Sequence, residues 1–316
     1  MFAKARAVAF FLCSLFICSI FPQVAHGQLL DEVTGPMSAM IEKLNVPPAM
    51  VAPLLQKAAD GDAQAQYVVG LLYFTGQSVQ QDHALAVQWM TKAANQEFKL
   101  AQTQLGLMYL TAKDIPDNYI LAKQWLLKGA AHGDLDAMNG LGLIYAEGLG
   151  TAINGEEAIQ YFREAANGGF AIAQYNLGGQ YYTGKLVAQD YKEAARLFQL
   201  AAQQDHVRAA YNLGVMYRDG QGVPQDSTGA IRLFQGIAEK HHFPAAEHNL
   251  GAMYYAGKGV PADLILAYMW TKLAADSGSE PGKKLLAIIS QKMTSDQVAQ
   301  ADQRVQEWNK VHGKLT

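Results

Sequence analysis

Between residues 58 and 275 the chain restates one arrangement of small, apolar and polar positions. A glycine preceded by an apolar residue returns at Gly70, Gly106, Gly142, Gly178, Gly214 and Gly251, with four spacings of 36 residues and one of 37. Five residues before this anchor stands an alanine (Ala65, Ala101, Ala137, Ala173, Ala209, Ala246), and three after it a tyrosine (Tyr73, Tyr109, Tyr145, Tyr181, Tyr217, Tyr254). Positions −5, −1, 0 and +3 follow the i, i+4, i+5, i+8 spacing of one buried helical face. A second stripe follows, with alanine at +16 (Ala86, Ala122, Ala158, Ala194, Ala230, Ala267), a large residue at +19 or +20 and a small one near +23. Between the stripes a glycine stands at +6 in five copies (Gly76, Gly148, Gly184, Gly220, Gly257), with Ala112 in the sixth. That is where a helix ends in a left-handed residue, which glycine adopts without steric cost. Asp or Asn at +12 (Asp82, Asn118, Asn154, Asp190, Asp226, Asp263) supplies the side-chain cap that opens the next helix. Each copy therefore predicts a helix, a glycine-bearing turn, a cap and a second helix. The small residues at −5, 0 and +16 allow close helix approach, and the aromatic or leucine at +19 (Trp89, Trp125, Tyr161, Leu197, Leu233, Trp270) is expected to fill the space that remains. One copy cannot bury both stripes alone; stacked copies can, so the pattern predicts an all-α solenoid.

The sixth copy reads Ala246-Glu-His-Asn-Leu-Gly251-Ala-Met-Tyr254-Tyr-Ala-Gly257-Lys-Gly259-Val260-Pro261-Ala-Asp263, followed by Ala267, Trp270 and Ala274-Ala275. This resembles the Sel1-like repeats, relatives of the tetratricopeptide repeat; the Gly-x-Gly-Val turn and the length of 36 favour them over the 34-residue tetratricopeptide unit. The resemblance implies a right-handed α/α superhelix of six helix-turn-helix repeats with capping helices. Repeat two departs from it at Ala112 to Pro116, and repeat three at Thr151 to Gly155. The expected organisation is a signal segment at 1–27, N-terminal capping helices at 28–57, six repeats at 58–280 and a partial repeat with a capping helix at 281–316. At the far end, Thr294-x-x-Gln297 reads as a capping box, followed by Val298, Ala301, Val305 and Trp308 on one helical face.

The first 27 residues carry Lys4 and Arg6, an apolar or small run from Ala7 to Phe21, and Ala25-x-Gly27 before Gln28, the layout of a cleaved export signal. The run is shorter than the roughly 20 residues of a spanning helix. Export to the periplasm or beyond the cell is the expectation, with no membrane span after cleavage. Cys13 and Cys18 both lie in this run, so a mature chain would contain no cysteine, which removes thiol catalysis, disulfides and thiolate metal sites. Of 316 residues, half are hydrophobic and the formal charge is −3, or −5 without the first 27, which offers no overall basic field for a nucleic-acid backbone.

Little in the chain points to catalysis or to a cofactor. The Gly-x-Gly pairs follow helices rather than strands and lack the Lys-Ser/Thr of a phosphate loop. His241, His242, His248 and Glu247 cluster in sequence without zinc-site spacing and read as surface residues. No Gly-x-Ser-x-Gly elbow occurs. What remains is a stripe beside the buried face of each first helix, expected on the concave wall of the solenoid. Position −3 holds Tyr67, Thr103, Asn139, Tyr175, Tyr211 and His248; position +4 holds Phe74, Leu110, Ala146, Tyr182, Arg218 and Tyr255. Tyr67, Phe74, Tyr175, Tyr182, Tyr211, Arg218, His248 and Tyr255 form the candidate partner-binding set, since aromatic residues and arginine dominate binding hot spots. Packing against the neighbouring repeat is the other reading of the −3 tyrosines. Asn176, Asn212 and Asn249, at −2, are expected to hydrogen-bond within or between repeats. The family resemblance implies a non-catalytic scaffold that binds a protein or peptide in the bacterial envelope or at a host. The rival readings are an envelope hydrolase, β-lactamase-like or acting on the cell wall, and a self-associating structural protein.

Overall fold

The computed structural model describes residues 46–111 and 118–313. Residues 1–27, which read in sequence as an export signal and include Cys13 and Cys18, the stretch from Met37 to Leu44 and the divergent turn at Ala112 to Pro116 lie outside the described residues. All regular structure among the described residues is helical. The helices fall into two units, one ending at Gln189 and one beginning at Asp190. The first contains α1 (Pro48–Ala59), α2 (Ala63–Thr75), α3 (His83–Asn95), α4 (Lys99–Thr111), α5 (Tyr119–Ala131), α6 (Leu135–Glu147), α7 (Gly155–Asn167) and α8 (Ala171–Thr183). The second contains α9 (Tyr191–Ala202), α10 (Val207–Asp219), α11 (Ser227–His241), α12 (Pro244–Ala256), α13 (Leu264–Asp276), α14 (Glu280–Ser290) and α15 (Ser295–His312). Within each unit consecutive helices pack on one another as in a solenoid, except at the C-terminal end, where α15 packs on α13 rather than on α14.

Local chemistry sets the helix ends. The five turn glycines at +6 are left-handed, with φ between 64° and 74°, and each returns its N–H to the helix it closes. All six +12 residues cap as expected: Asp82 accepts from the Leu85 N–H at 2.9 Å, and Asp226 from Gly229 at 2.8 Å. A second set of caps opens first helices. Asp62 accepts from Ala65 at 2.6 Å, Asp134 from Ala137 at 2.9 Å, and His206 uses Nδ1 to accept from Ala209 at 3.2 Å. Each such cap stabilises its helix by about 1 kcal/mol.

The alanine columns lie in the core. All six at +16 are fully buried, and those at −5 are no more than 4% exposed. One expectation needs correction: the residue resting on the anchor glycine is at +20, not +19. A side chain at Gly106 would strike Leu126, one at Gly142 would strike the Phe162 ring, and one at Gly214 the Phe234 ring. Position +20 lies one helical turn directly above Ala+16, so it shares the inward line, while +19 is rotated toward the edge. At +19 Trp89, Trp125 and Tyr161 are half-buried, although Leu197 and Trp270 are buried as expected; at +20 Met90, Leu126, Phe162 and Phe234 are fully buried.

Successive repeats are joined at their turns as well. The second glycine of a Gly-x-Gly pair presses its turn onto the start of the preceding repeat's second helix: a Cβ on Gly150 would meet Tyr119, and one on Gly259 would meet Ser227. At the C-terminal end the capping box forms with both bonds, Gln297 N–H to Thr294 Oγ1 at 3.2 Å and Thr294 N–H to Gln297 Oε1 at 3.0 Å. Ala301 and Val305 are buried, and Trp308 meets Trp270 edge-on at 4.7 Å. No described helix is long and apolar enough to cross a membrane.

Candidate functional site

The first helices, α2, α4, α6, α8, α10 and α12, carry the candidate stripe, and the structure divides it by depth. Every residue at −3 is buried: Tyr67 at 5% exposure, Thr103, Asn139, Tyr175, Tyr211 and His248. Two of these residues, Asn139 and Tyr211, also bond to the next repeat. In the first unit Asn176 Nδ2, at −2 of repeat four, donates to Asn139 Oδ1, at −3 of repeat three, at 2.9 Å. In the second unit Asn249 Nδ2, at −2 of repeat six, donates to the Tyr211 hydroxyl, at −3 of repeat five, at 3.1 Å. Asn176 and Asn249 thus pair one repeat with the next, as expected; Asn212, the third asparagine of the −2 column, has its Nδ2 buried with no hydrogen-bond partner. Tyr211 also packs on Phe234 and Phe243 at 5.7 and 5.3 Å, and Tyr67 on Phe98 at 5.3 Å.

Arg218, at +4, is built in rather than displayed. It is 6% exposed, and its guanidinium donates from Nε to Asp219 Oδ1 at 2.7 Å, from Nη2 to Asp219 Oδ2 at 2.6 Å, and from Nη1 to Asn249 Oδ1. A buried cation is tolerated only with such complete pairing. Asn249 therefore brings Tyr211 and Arg218 together. The other +4 aromatics are half-exposed: Phe74 lies against the His83 ring at 4.8 Å, the Tyr255 ring receives Lys292 Nζ at 4.9 Å, and Tyr182 stands half-exposed on α8. Phe74, Tyr182 and Tyr255 are the part of the set that a partner reaches without unpacking the chain. Beneath them glutamines lock the turn: Gln81, Gln189 and Gln225 each donate Nε2 to the carbonyl of Phe74, Tyr182 and Arg218 at 2.8 Å.

The surface reading of the His241 to His248 cluster holds only in part. His241 is exposed and His242 half-buried, but Glu247 and His248 are 1% and 2% exposed, because α12 turns that face onto its neighbours. Among the described residues no group of histidine and acidic side chains has the arrangement to hold a metal ion. Glu247 occupies position −4, where Gln66, Gln102 and Gln174 each donate an amide to a carbonyl near the end of the preceding helix, at Ala58 (3.0 Å), Ala94 (3.4 Å) and Ala166 (3.2 Å). A carboxylate there cannot donate. Its Oε2 is buried with no hydrogen-bond partner, and burial pushes its pKa up to about 7, opposed by His242. Burial likewise raises Asp136 to about 6, reinforced by Asp134, and lowers His206 to about 4. Burial, then Asp134 and Asp136, hold the Tyr67 hydroxyl above its usual range. Position −4 reads Gln66, Gln102, Met138, Gln174, Ala210 and Glu247, so the sequence already showed Glu247 as the one charged residue of that column.

A family model described as Sel1 repeat matches the chain at residues 63–98, 99–134, 135–170, 171–206, 207–242 and 244–279. Among solved structures, the chain is similar to a protective antigen present in uropathogenic Escherichia coli strains displaying an SLR fold, at 29% identity and a TM-score of 0.76, over 84% of this chain and 57% of that one. The chain thus spans little more than half the length of that antigen. It is also similar to a Sel1 repeat protein from Oxalobacter formigenes, at 30% identity and a TM-score of 0.62, over 69% of this chain and 89% of that one. Among curated proteins none matches the chain.

Proposed function

This chain belongs to the Sel1 repeat family, and on that premise we propose that it is an exported, non-catalytic scaffold that binds a protein or peptide along the stripe of its first helices. The observation that carries the reading is the set of half-exposed aromatics at +4, Phe74, Tyr182 and Tyr255, mounted on helices whose buried neighbours hold them in register. Such side chains supply large contact area at little entropic cost when their backbone is already fixed. Turn locks at Phe74 and Tyr182 add to that fixation. The export part rests on the signal-like layout of residues 1–27. The similarity to a protective antigen of uropathogenic Escherichia coli agrees with a place outside the cytoplasm.

A photocrosslinking amino acid placed at Tyr182 or Tyr255, with Gln199 on the exposed side of α9 as control, tests the reading in the native host. A discrete adduct from the stripe and none from Gln199 supports it. Equal labelling from all three sites, or an adduct with the mass of two copies of this chain, rejects a dedicated partner surface. The N-terminal residue of the mature protein tests export: it should be Gln28.

A further inference from the structure

One glycine in the second unit lacks the reason its counterparts have. Inside their helices, Gly106, Gly142 and Gly214 each face a side chain that a Cβ would strike. Gly236, in the middle of α11, has nothing within 4 Å of where a Cβ would stand. Glycine disfavours a helix interior, so its presence without a packing need calls for another cause. The repeats themselves give the comparison. Position +22 holds Lys92, Lys128, Glu164, Leu200 and Leu273 in the other copies whose +22 residue is a long side chain, and only repeat five leaves it bare at Gly236.

What the missing side chain leaves is a hollow of about 130 Å³, floored by Ala202, Val207, Ala210, Leu233 and Ile237. That is close to the about 150 Å³ of a cavity that takes up a benzene-sized apolar group. Its rim carries two cations, Arg232 and Lys240, together with one acid, Asp205. Arg232 and Lys240 stand four residues to either side of Gly236 on the same line of α11, each about 6 Å along the axis, and His241 adds to the Lys240 end. Both cations are exposed and hold exposed carboxylates: Lys240 meets Asp205 at 2.9 Å and Arg232 meets Asp226 at 3.6 Å. Exposed pairs of this kind are weak and exchange readily for a better-placed acid.

We propose that this hollow is a second binding site, for an extended stretch of a partner polypeptide with the pattern acidic-x-aliphatic-x-acidic. In an extended strand alternate side chains point the same way at about 6.6 to 6.8 Å, which matches the spacing of Arg232, Gly236 and Lys240 along α11. The aliphatic side chain enters the space over Gly236, and the two carboxylates meet Arg232 and Lys240. This deepens the scaffold reading and rests on it, but uses a face other than the stripe.

The test is fluorescence anisotropy of the full chain with labelled acetyl-Glu-Ala-Leu-Ala-Glu-amide, compared with the same peptide carrying Ser for Leu or Lys for both Glu. The acidic leucine peptide should bind best. Gly236→Leu, whose Cβ meets nothing within 4 Å, fills the hollow and should weaken binding at least about tenfold with helical circular dichroism unchanged. Exchanging both rim cations, Arg232→Glu with Lys240→Glu, should reverse the preference toward the lysine peptide. Equal binding by wild type and Gly236→Leu, indifference to the Ser replacement, or no binding of the acidic peptide overturns the proposal. If the stripe yields its crosslink while the peptide fails, the hollow alone is rejected. If the peptide binds and the stripe yields none, the stripe alone is rejected.

Discussion

Replacing Glu247 by glutamine should stabilise the protein, by an amount that grows as pH rises from about 4.5 to 7 and then levels off. The folded chain holds this acid at about 7 against an ordinary value of 4.5, which at 1.4 kcal/mol per decade is a difference of about 3 kcal/mol between its charged and neutral forms. Because the folded pKa is raised, the native state keeps a proton that the unfolded chain has released between about pH 4.5 and 7. Stability contributed by this site is therefore fully present at low pH and falls as pH rises through that window. Above it the whole cost of a buried carboxylate whose Oε2 has no hydrogen-bond partner is carried. Glutamine has no proton to lose, and in the same column Gln66, Gln102 and Gln174 show that an amide finds a carbonyl to which it donates. Glu247→Gln should thus match wild type near pH 4.5 and exceed it by on the order of 3 kcal/mol at about pH 8.5. His206 works the other way: held at about 4 by burial, it costs stability as pH falls below its ordinary 6.5, but it does so equally in both proteins and cancels in the difference. Urea unfolding followed by circular dichroism at the two pH values, with hydrogen exchange of the α12 amides to localise the gain, measures this. A difference between the proteins that does not change with pH would refute the reasoning, as would a variant less stable than wild type at pH 8.5.

Other outcomes are equally specific. Gly142→Leu drives a side chain into the Phe162 ring and should cost at least about 1 to 3 kcal/mol, seen as loss of protection in α6 and α7 by hydrogen exchange. Gly220→Ala strains a residue held at φ 71° and should destabilise by about 1 kcal/mol, with Gly220→Asn milder, as read from thermal midpoints. Asn249→Ala removes an acceptor from buried Arg218 and should cost about 1.5 to 3 kcal/mol in urea unfolding, more than removing the exposed cation in Lys240→Ala.

Which parts of this structure could be read beforehand follows from the range of the physics involved. Turn glycines and +12 caps are decided within four residues of themselves, so Gly220 and Asp226 behave in the fold as their types require. The choice between +19 and +20 was harder, because both columns recur and only the line through Ala+16 separates them. Depth at −3 was out of reach for another reason. A column that varies from Tyr to Thr to Asn looks the same whether it meets a partner or a private mate in the next repeat, as Asn139 meets Asn176 and Tyr211 meets Asn249. The hollow at Gly236 depends on a side chain that is not there, and only comparison across copies reveals it.

The turn-to-helix seat at Gly150 and Gly259 has a further consequence. Because repeats three, five and six dock on their predecessors through the same short seam, a copied or deleted block of 36 residues there presents matching edges at both joins. Gene duplication could therefore lengthen or shorten such an array in whole steps, so that the number of modules, rather than the shape of any one of them, becomes the quantity that selection adjusts.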